Sequence, residues 1–184
     1  MLTSERLIYK PIDANDIEWL RETRNKYRDN FFDNGEISSE QQRAWYARYR
    51  EDGRDKMFIV KLKSGEPIGT IAIYNIDAQN RTATLGRVLL LDEFRHHGYA
   101  EEMVQRILQL AFESMRLYKV KVEVHYDNID AIAIYARAGF KPATKPIVFL
   151  ECKNTKFNPK QPVQLLSQDE DDDAGYESQC KNVI

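Results

Sequence analysis

The alternation of apolar and polar positions changes period several times along the chain, and each change marks an element. Leu7-Ile8-Tyr9 is a short apolar run ending at Pro11, which predicts a strand. Ile17, Leu20 and Arg24 then recur at three- and four-residue spacing, which predicts a helix capped by Asp13 or Asn15. The stretch Asp29–Ile37 holds Phe31, Phe32 and an Asn34-Gly35 turn and reads as a loop. Ser38-Ser39-Glu40-Gln41-Gln42 offers two overlapping capping boxes, Ser38 with Gln41 and Ser39 with Gln42. A second helix follows, with Trp45, Tyr46 and Tyr49, and stops near Asp52-Gly53.

Beyond that point the period shortens. Met57–Leu62 and Pro67–Ile76 flank a Ser64-Gly65 turn and predict a hairpin. A third strand, Thr82–Leu91, follows the turn at Asp77–Arg81. The glycine-containing turn Arg95–Ala100 leads into a long amphipathic helix with Met103, Ile107, Leu110, Ala111 and Met115 on one side. Val120, Val122 and Val124 alternate with Lys121, Glu123 and His125, a strand with one face buried. Ile129–Arg137 is a short helix closed by Gly139, and Ile147–Leu150 is a last strand. The order β α α β β β α β α β predicts an α/β domain, a mixed central sheet with helices on both faces.

The 184 residues suit one domain with a tail, and a chain of this length needs no disulfide or metal staple. The formal net charge of −2 removes the electrostatic argument for nucleic-acid binding. No apolar run approaches the roughly 18 residues of a membrane span, and MLTSERLIYK lacks the apolar segment of a secretory leader. Cys152 and Cys180 form no CxxC pair and no metal cluster; they read as free thiols in the reducing cytoplasm, with no metal implied. Residues 154–184 hold three Lys against six acids, so the domain is placed at 1–153 and an acidic, solvated tail after it. A linker at Asn158–Pro162 joins the two, and a partner-binding role for the run Asp169–Asp173 is the alternative to plain solvation.

Two segments carry chemistry. In the first, the strand ending in Val88-Leu89-Leu90-Leu91 runs into Arg95-His96-His97-Gly98-Tyr99-Ala100 and then into a helix. Unpaired N–H groups and the positive helix end there suit a pyrophosphate, and Gly98 allows close approach. An ordinary strand–helix turn with surface charges is the alternative. In the second, Asn128 or Asp127 caps a helix on which Tyr135 lies two turns further along the same face, a phenol that either donates a proton in a cleft or is a half-buried packing residue.

The two segments together, in this order and about 33 residues apart, resemble the GNAT superfamily of acyl-CoA-dependent N-acyltransferases. Arg95-x-x-Gly98-x-Ala100 is similar to its pyrophosphate loop, and Asn128-x-x-Ala131-x-x-x-Tyr135-x-x-x-Gly139-Phe140 to its closing motif. The resemblance implies acetyl-CoA as co-substrate, lying between two splayed parallel strands, Thr82–Leu91 and Lys119–His125. It implies that backbone groups of Val88 and Leu90 bind the pantetheine and polarise the thioester carbonyl, and that N–H groups from Arg95 through His96, His97, Gly98 and Tyr99 to Ala100 hold the pyrophosphate. Asn128 would bond the pantetheine arm, and Tyr135 would protonate the leaving sulfur. Many members carry Glu where this chain has Thr84, so Glu123 and His125 are the candidate bases, their alternatives being an ion pair and a surface histidine. A water base is the third option.

The acceptor is read as a small-molecule amine. Residues 20–25 and 37–46 resemble members acting on nucleotide-linked deoxyamino sugars, and also the ribosomal-protein N-terminal and the spermidine acetyltransferases. The amino sugar is the favoured reading, with Phe31, Phe32 and Glu36 in the acceptor site; Phe31 and Phe32 as caps of the core are the alternative. A protein N-terminus, a polyamine or a non-catalytic CoA-binding module are the other readings, and a homodimer is left open.

Overall fold

A computed structural model describes residues 1–142. Its elements are β1 (Leu2–Thr3), β2 (Leu7–Pro11), α1 (Ile17–Lys26), α2 (Ser39–Glu51), β3 (Lys56–Leu62), β4 (Pro67–Asp77), β5 (Thr82–Leu90), α3 (Tyr99–Gln109), β6 (Lys119–Val122) and α4 (Ile129–Arg137). The expected strand at Ile147–Leu150, both cysteines, the linker, the tail and the boundary at residue 153 lie outside the described residues.

Strand β3 sets the plan. Met57, Phe58, Ile59 and Val60 are buried in succession, as a strand covered on both faces requires. Alternation then sorts them. Phe58 and Val60 join Leu7, Tyr9, Ile71, Ile73 and Leu85 against Met103, Val104 and Ile107 of α3 and Tyr135 of α4. Met57 and Ile59 point the other way, to Ile12, Leu20 and Ala72 under Trp45, Tyr46 and Tyr49. Two apolar clusters on opposite faces of one sheet give the α/β architecture the periodicity predicts.

The sheet runs β1-β2-β3-β4-β5-β6 in chain order. All neighbours are antiparallel except β5 and β6, which are parallel. Gly69 allows β4 to lie close on β5, since a Cβ there would sit 2.1 Å from the Leu89 carbonyl oxygen.

Several expectations at element ends are corrected. Neither Asp13 nor Asn15 caps α1; Asp16 occupies the cap position and makes no side-chain cap. Its carboxylate instead accepts the Asp13 N–H at 2.8 Å and the Lys10 ammonium, while Asp13 accepts the Asn15 N–H at 2.8 Å. Of the two capping boxes, Ser38 with Gln41 forms: Gln41 N–H donates to Ser38 Oγ at 3.2 Å, and Ser38 N–H to Gln41 Oε1 at 2.8 Å. Helix α3 stops at Gln109 and widens into a π-helical turn, Leu110–Ser114, that keeps Ala111 buried. The β6 strand stops at Val122, so Glu123, Val124 and His125 lie beyond its paired part. Helix α4 is capped by Asn128, whose Oδ1 accepts the Ala131 N–H at 3.1 Å, and ends at Gly139 with φ of +93°.

Candidate active site

Strands β5 and β6 pair only from Thr82↔Lys119 to Leu85↔Val122. After Leu85, β5 runs on beside β4 alone. It carries a bulge: Leu89 pairs with Thr70 and Gly86 with Ala72, so Arg87 and Val88 together face Ile71. Arg87 takes a left-handed φ of +50°, and Thr70 Oγ1 donates to its carbonyl at 2.9 Å. Leu91 N–H donates across to Ile68 O at 2.9 Å. Alternation therefore turns the backbones of Leu90 and Val88 to the unpaired edge. That edge opens into a cleft of about 1270 Å³ lined by both residues.

At one end of the cleft lies the turn into α3. Arg95 N–H is taken by Asp92 O at 3.2 Å, so this group, expected to face a pyrophosphate, is already engaged. From His96 to Glu101 no backbone N–H has a hydrogen-bond acceptor among the described residues. His96 and Gly98 have left-handed φ of +64° and +77°, which curls these N–H groups into a concave nest at the positive end of an eleven-residue helix. This donor set fits a diphosphate. Arg95, His96, Gly98, Tyr99 and Ala100 line the cleft. His97 does not appear on that wall; its ring lies 6.0 Å from that of Tyr99.

Tyr135 projects from α4 into the same cleft and is 9% exposed. Phe140 packs edge-on against it at 5.6 Å. Burial, reinforced by the nearby Tyr74 phenol, pushes its pKa up to about 12, so it stays protonated at neutral pH. Its hydroxyl has no hydrogen-bond partner among the described residues. Asn128, at the N-cap of α4, also lines the cleft, and an Arg137–Glu101 ion pair of 2.9 Å ties α4 to the first turn of α3.

The opposite end is built by the loop after α1. Phe32 stacks on His125 with centroids 4.0 Å apart, joining a candidate acceptor residue to a candidate base. Phe31 lies under the Arg24 guanidinium at 4.1 Å. Arg24 Nη1 is buried with no hydrogen-bond partner among the described residues. Asp33, Glu36 and Glu123 line this end too. Among the described residues Glu123 forms no ion pair, so the alternative weighed for it is not seen there. Thr84 sits in the paired half of β5, between Tyr74 and Lys121.

Arg24, Tyr74 and Arg87 are among the lining residues that sequence reading missed. Arg24 reads in sequence as one step of a helical period. Tyr74 reads as an ordinary strand residue. Arg87 reads the same way, yet its guanidinium lies over Tyr74 at 4.6 Å and pairs with Asp55 at 2.8 Å. Only the adjacent Gly86 hints at an irregular strand there.

Comparison with known proteins agrees with this geometry. The spermidine N(1)-acetyltransferase of Vibrio cholerae serotype O1 is 20% identical over 139 residues, covering 74% of this chain and 80% of that protein. The crystal structure of spermidine N-acetyltransferase from Vibrio cholerae in complex with CoA and spermine superposes with a TM-score of 0.68 at 19% identity, covering 74% of this chain and 81% of that one. A dodecameric structure of that enzyme in an intermediate state gives 0.64 at 19% identity, with 75% and 81% covered. The family model described as an acetyltransferase (GNAT) domain matches residues 6–141. With the motifs and the parted parallel strands, this match makes the chain a member of the GNAT acetyltransferase family, an N-acetyltransferase whose co-substrate is acetyl-CoA.

Proposed function

We propose that the chain acetylates a primary amine of a polyamine. One observation carries this reading: Asp33, Glu36 and Glu123 line the acceptor end of the cleft that also holds Tyr135. Carboxylates along a groove suit a linear polycation, and the relatives named above are spermidine acetyltransferases. The amino-sugar reading favoured by the sequence alone gains no support from those relatives. An oligomer is the expected assembly, since one solved relative is a dodecamer.

The chemistry is direct transfer, with no covalent enzyme intermediate. Acetyl-CoA supplies the activated acyl group. The free N–H groups from His96 to Ala100 hold its diphosphate, and the open edge of Val88 and Leu90 aligns its arm. A backbone N–H of that edge polarises the carbonyl oxygen as charge builds on it. The acceptor arrives as an ammonium ion and must lose a proton. His125, held by Phe32, or Glu123 accepts it, directly or through water. The amine nitrogen then bonds to the acyl carbon and the carbon–sulfur bond breaks. A thiol has a pKa of about 8.5, below that of the buried phenol. Tyr135 therefore stabilises the departing sulfur by donating a hydrogen bond. Its proton crosses to sulfur as the new amide nitrogen releases one that restores the phenol, so of the two protons nitrogen gives up, one goes to the base and on to water and one is matched at sulfur.

One observation favours a second reading. The Arg24 Nη1, buried with no hydrogen-bond partner among the described residues, would suit an acceptor carrying an anionic group beside its amine. Thiol release from acetyl-CoA, measured with spermidine, UDP- and dTDP-linked amino sugars and an N-terminal peptide, separates the two. Turnover with spermidine that falls in Asp33→Asn and Glu36→Gln is the expected result. Turnover confined to the nucleotide sugars, and lost in Arg24→Gln, overturns the polyamine.

A further inference from the structure

We propose that Arg6, which does not line the cleft, is a positioning residue for acetyl-CoA: with Glu102 it holds the His97–Gly98 peptide so that the Gly98 N–H faces the cofactor's diphosphate. The proposal rests on the reading that this nest binds that diphosphate.

The nest lacks internal support. Its N–H groups from His96 to Glu101 are unspent among the described residues, and His96 is a non-glycine residue in the left-handed region. Such a conformation is strained and persists only where the surroundings impose it. Arg6 imposes it from behind. Its Nη1 donates to His97 O at 2.9 Å. Its guanidinium carbon lies 4.5 Å from the centroid of the Tyr99 ring. In a trans peptide the C=O and the following N–H point in opposite directions. A His97 carbonyl drawn outward to Arg6 therefore sends the Gly98 N–H inward. A guanidinium can hold this carbonyl and a carboxylate at once, which a lysine ammonium does with poorer geometry.

Arg6 is itself fixed. Its Nε donates to Glu102 Oε2 at 2.7 Å and its own N–H to Glu102 Oε1 at 2.9 Å. Ser4 Oγ donates to the same Oε1 at 2.7 Å, and the Tyr9 hydroxyl donates to the Glu102 carbonyl at 3.2 Å. The Glu102 carboxylate is only 14% exposed. The corner between β1 and β2 is thereby locked to the first turn of α3 and to the loop before it.

Calorimetric titration with CoA and NMR titration with pantetheine, which lacks the diphosphate, test this in the full chain. The wild type is expected to bind CoA far more tightly than pantetheine. Arg6→Gln should weaken CoA about tenfold and leave pantetheine unchanged, with Arg6→Lys in between. Glu102→Gln should follow Arg6→Gln at smaller size. A merely structural role would weaken both ligands alike and is read from equal losses, which overturn the proposal. An unchanged preference for CoA in Arg6→Gln and Arg6→Lys overturns it while leaving the nest as the diphosphate site. A wild type that binds both ligands equally overturns the nest reading and the proposal together. If Arg6→Gln fails to fold, Arg6→Lys and Glu102→Gln carry the same comparison.

Discussion

The two halves of β5 share one strand and do opposite work. From Thr82 to Leu85 the strand is paired on both sides, and Ala83 and Leu85 are buried. From Gly86 to Leu90 it is paired on one side, bulged at Arg87 and bordered by the cleft. The closed half spends its backbone groups on the sheet and its side chains on the core. The open half leaves one row of backbone groups unpaired among the described residues. Stability and function are thus separated by a single step along the chain, at the point where β6 stops matching β5. Sharpening this contrast means finding changes that move one property and spare the other.

The largest expected effect belongs to the open half. Tyr135→Phe should lower turnover about 10²–10⁴-fold, the usual span for losing a general acid. The melting temperature and the dissociation constant for CoA should stay near wild type, because the ring and its packing on Phe140 remain. A turnover within a few-fold of wild type removes Tyr135 from the chemistry. Next comes the closed half. Ile73→Ala, buried opposite Leu85 and off the cleft wall, should cost about 2–5 kcal/mol of stability, read by urea unfolding, with turnover per folded molecule preserved. If that turnover collapses, the halves are not separable. Thr70→Val spans the two, since its hydroxyl holds the bulge carbonyl of Arg87. It should cost about 1 kcal/mol and also weaken acetyl-CoA several-fold, seen as a raised KM. Ser38→Ala should cost about 1 kcal/mol by loss of the α2 cap and leave the KM for acetyl-CoA alone.

The pH dependence separates the same two properties. Burial raises the folded pKa of Tyr135 to about 12, above its unfolded value of about 10. The stability linked to this neutral phenol is therefore complete below pH about 10 and is lost as pH rises toward 12. Any alkaline change in rate below pH 9 must come from another group. Glu102 shifts the other way. Burial opposes its ionisation, but the Arg6 N–H, the Ser4 hydroxyl and the Arg6 guanidinium together hold it below the usual carboxylate range. Its contribution is present above the ordinary glutamate pKa of about 4.3 and fades as pH falls through the depressed value. CoA titrations between pH 7 and 5 should accordingly show no loss from this pair.

The fold was legible because its signals are local. Periods of two and of three to four residues placed the helices and longer strands, and Ser38-x-x-Gln41, Asn128 and Gly139 marked helix ends where the backbone needs them. The misses have physical causes. Asp13 and Asn15 are good caps in isolation, but Lys10 and the adjacent backbone claimed the Asp13 and Asp16 carboxylates. The two-residue β1 is too short to show a period. In the site, residues tied to backbone motifs were readable: Val88, Leu90, Gly98, Asn128 and Tyr135 all line the cleft. Contacts made across the fold were not. Nothing local connects Phe32 to His125 or Arg6 to His97, and a bulge that puts Arg87 at positive φ carries no residue signature beyond Gly86. The acceptor class was the least legible part for a related reason, since aromatic side chains in the 31–37 loop stack equally well on a base, a sugar or a neighbouring histidine.

The parting of β5 from β6 has one more consequence. Rows of vacant peptide hydrogen-bonding groups ordinarily sit at the rim of a sheet, where proteins guard them against stray pairing. Here the row lies inside the sheet, in the gap where β5 parts from β6, so girth becomes the first filter. A slender, unbranched thread bearing amides of its own can slip in and zip along the gap, while a bulky chain is turned away before any chemistry is consulted.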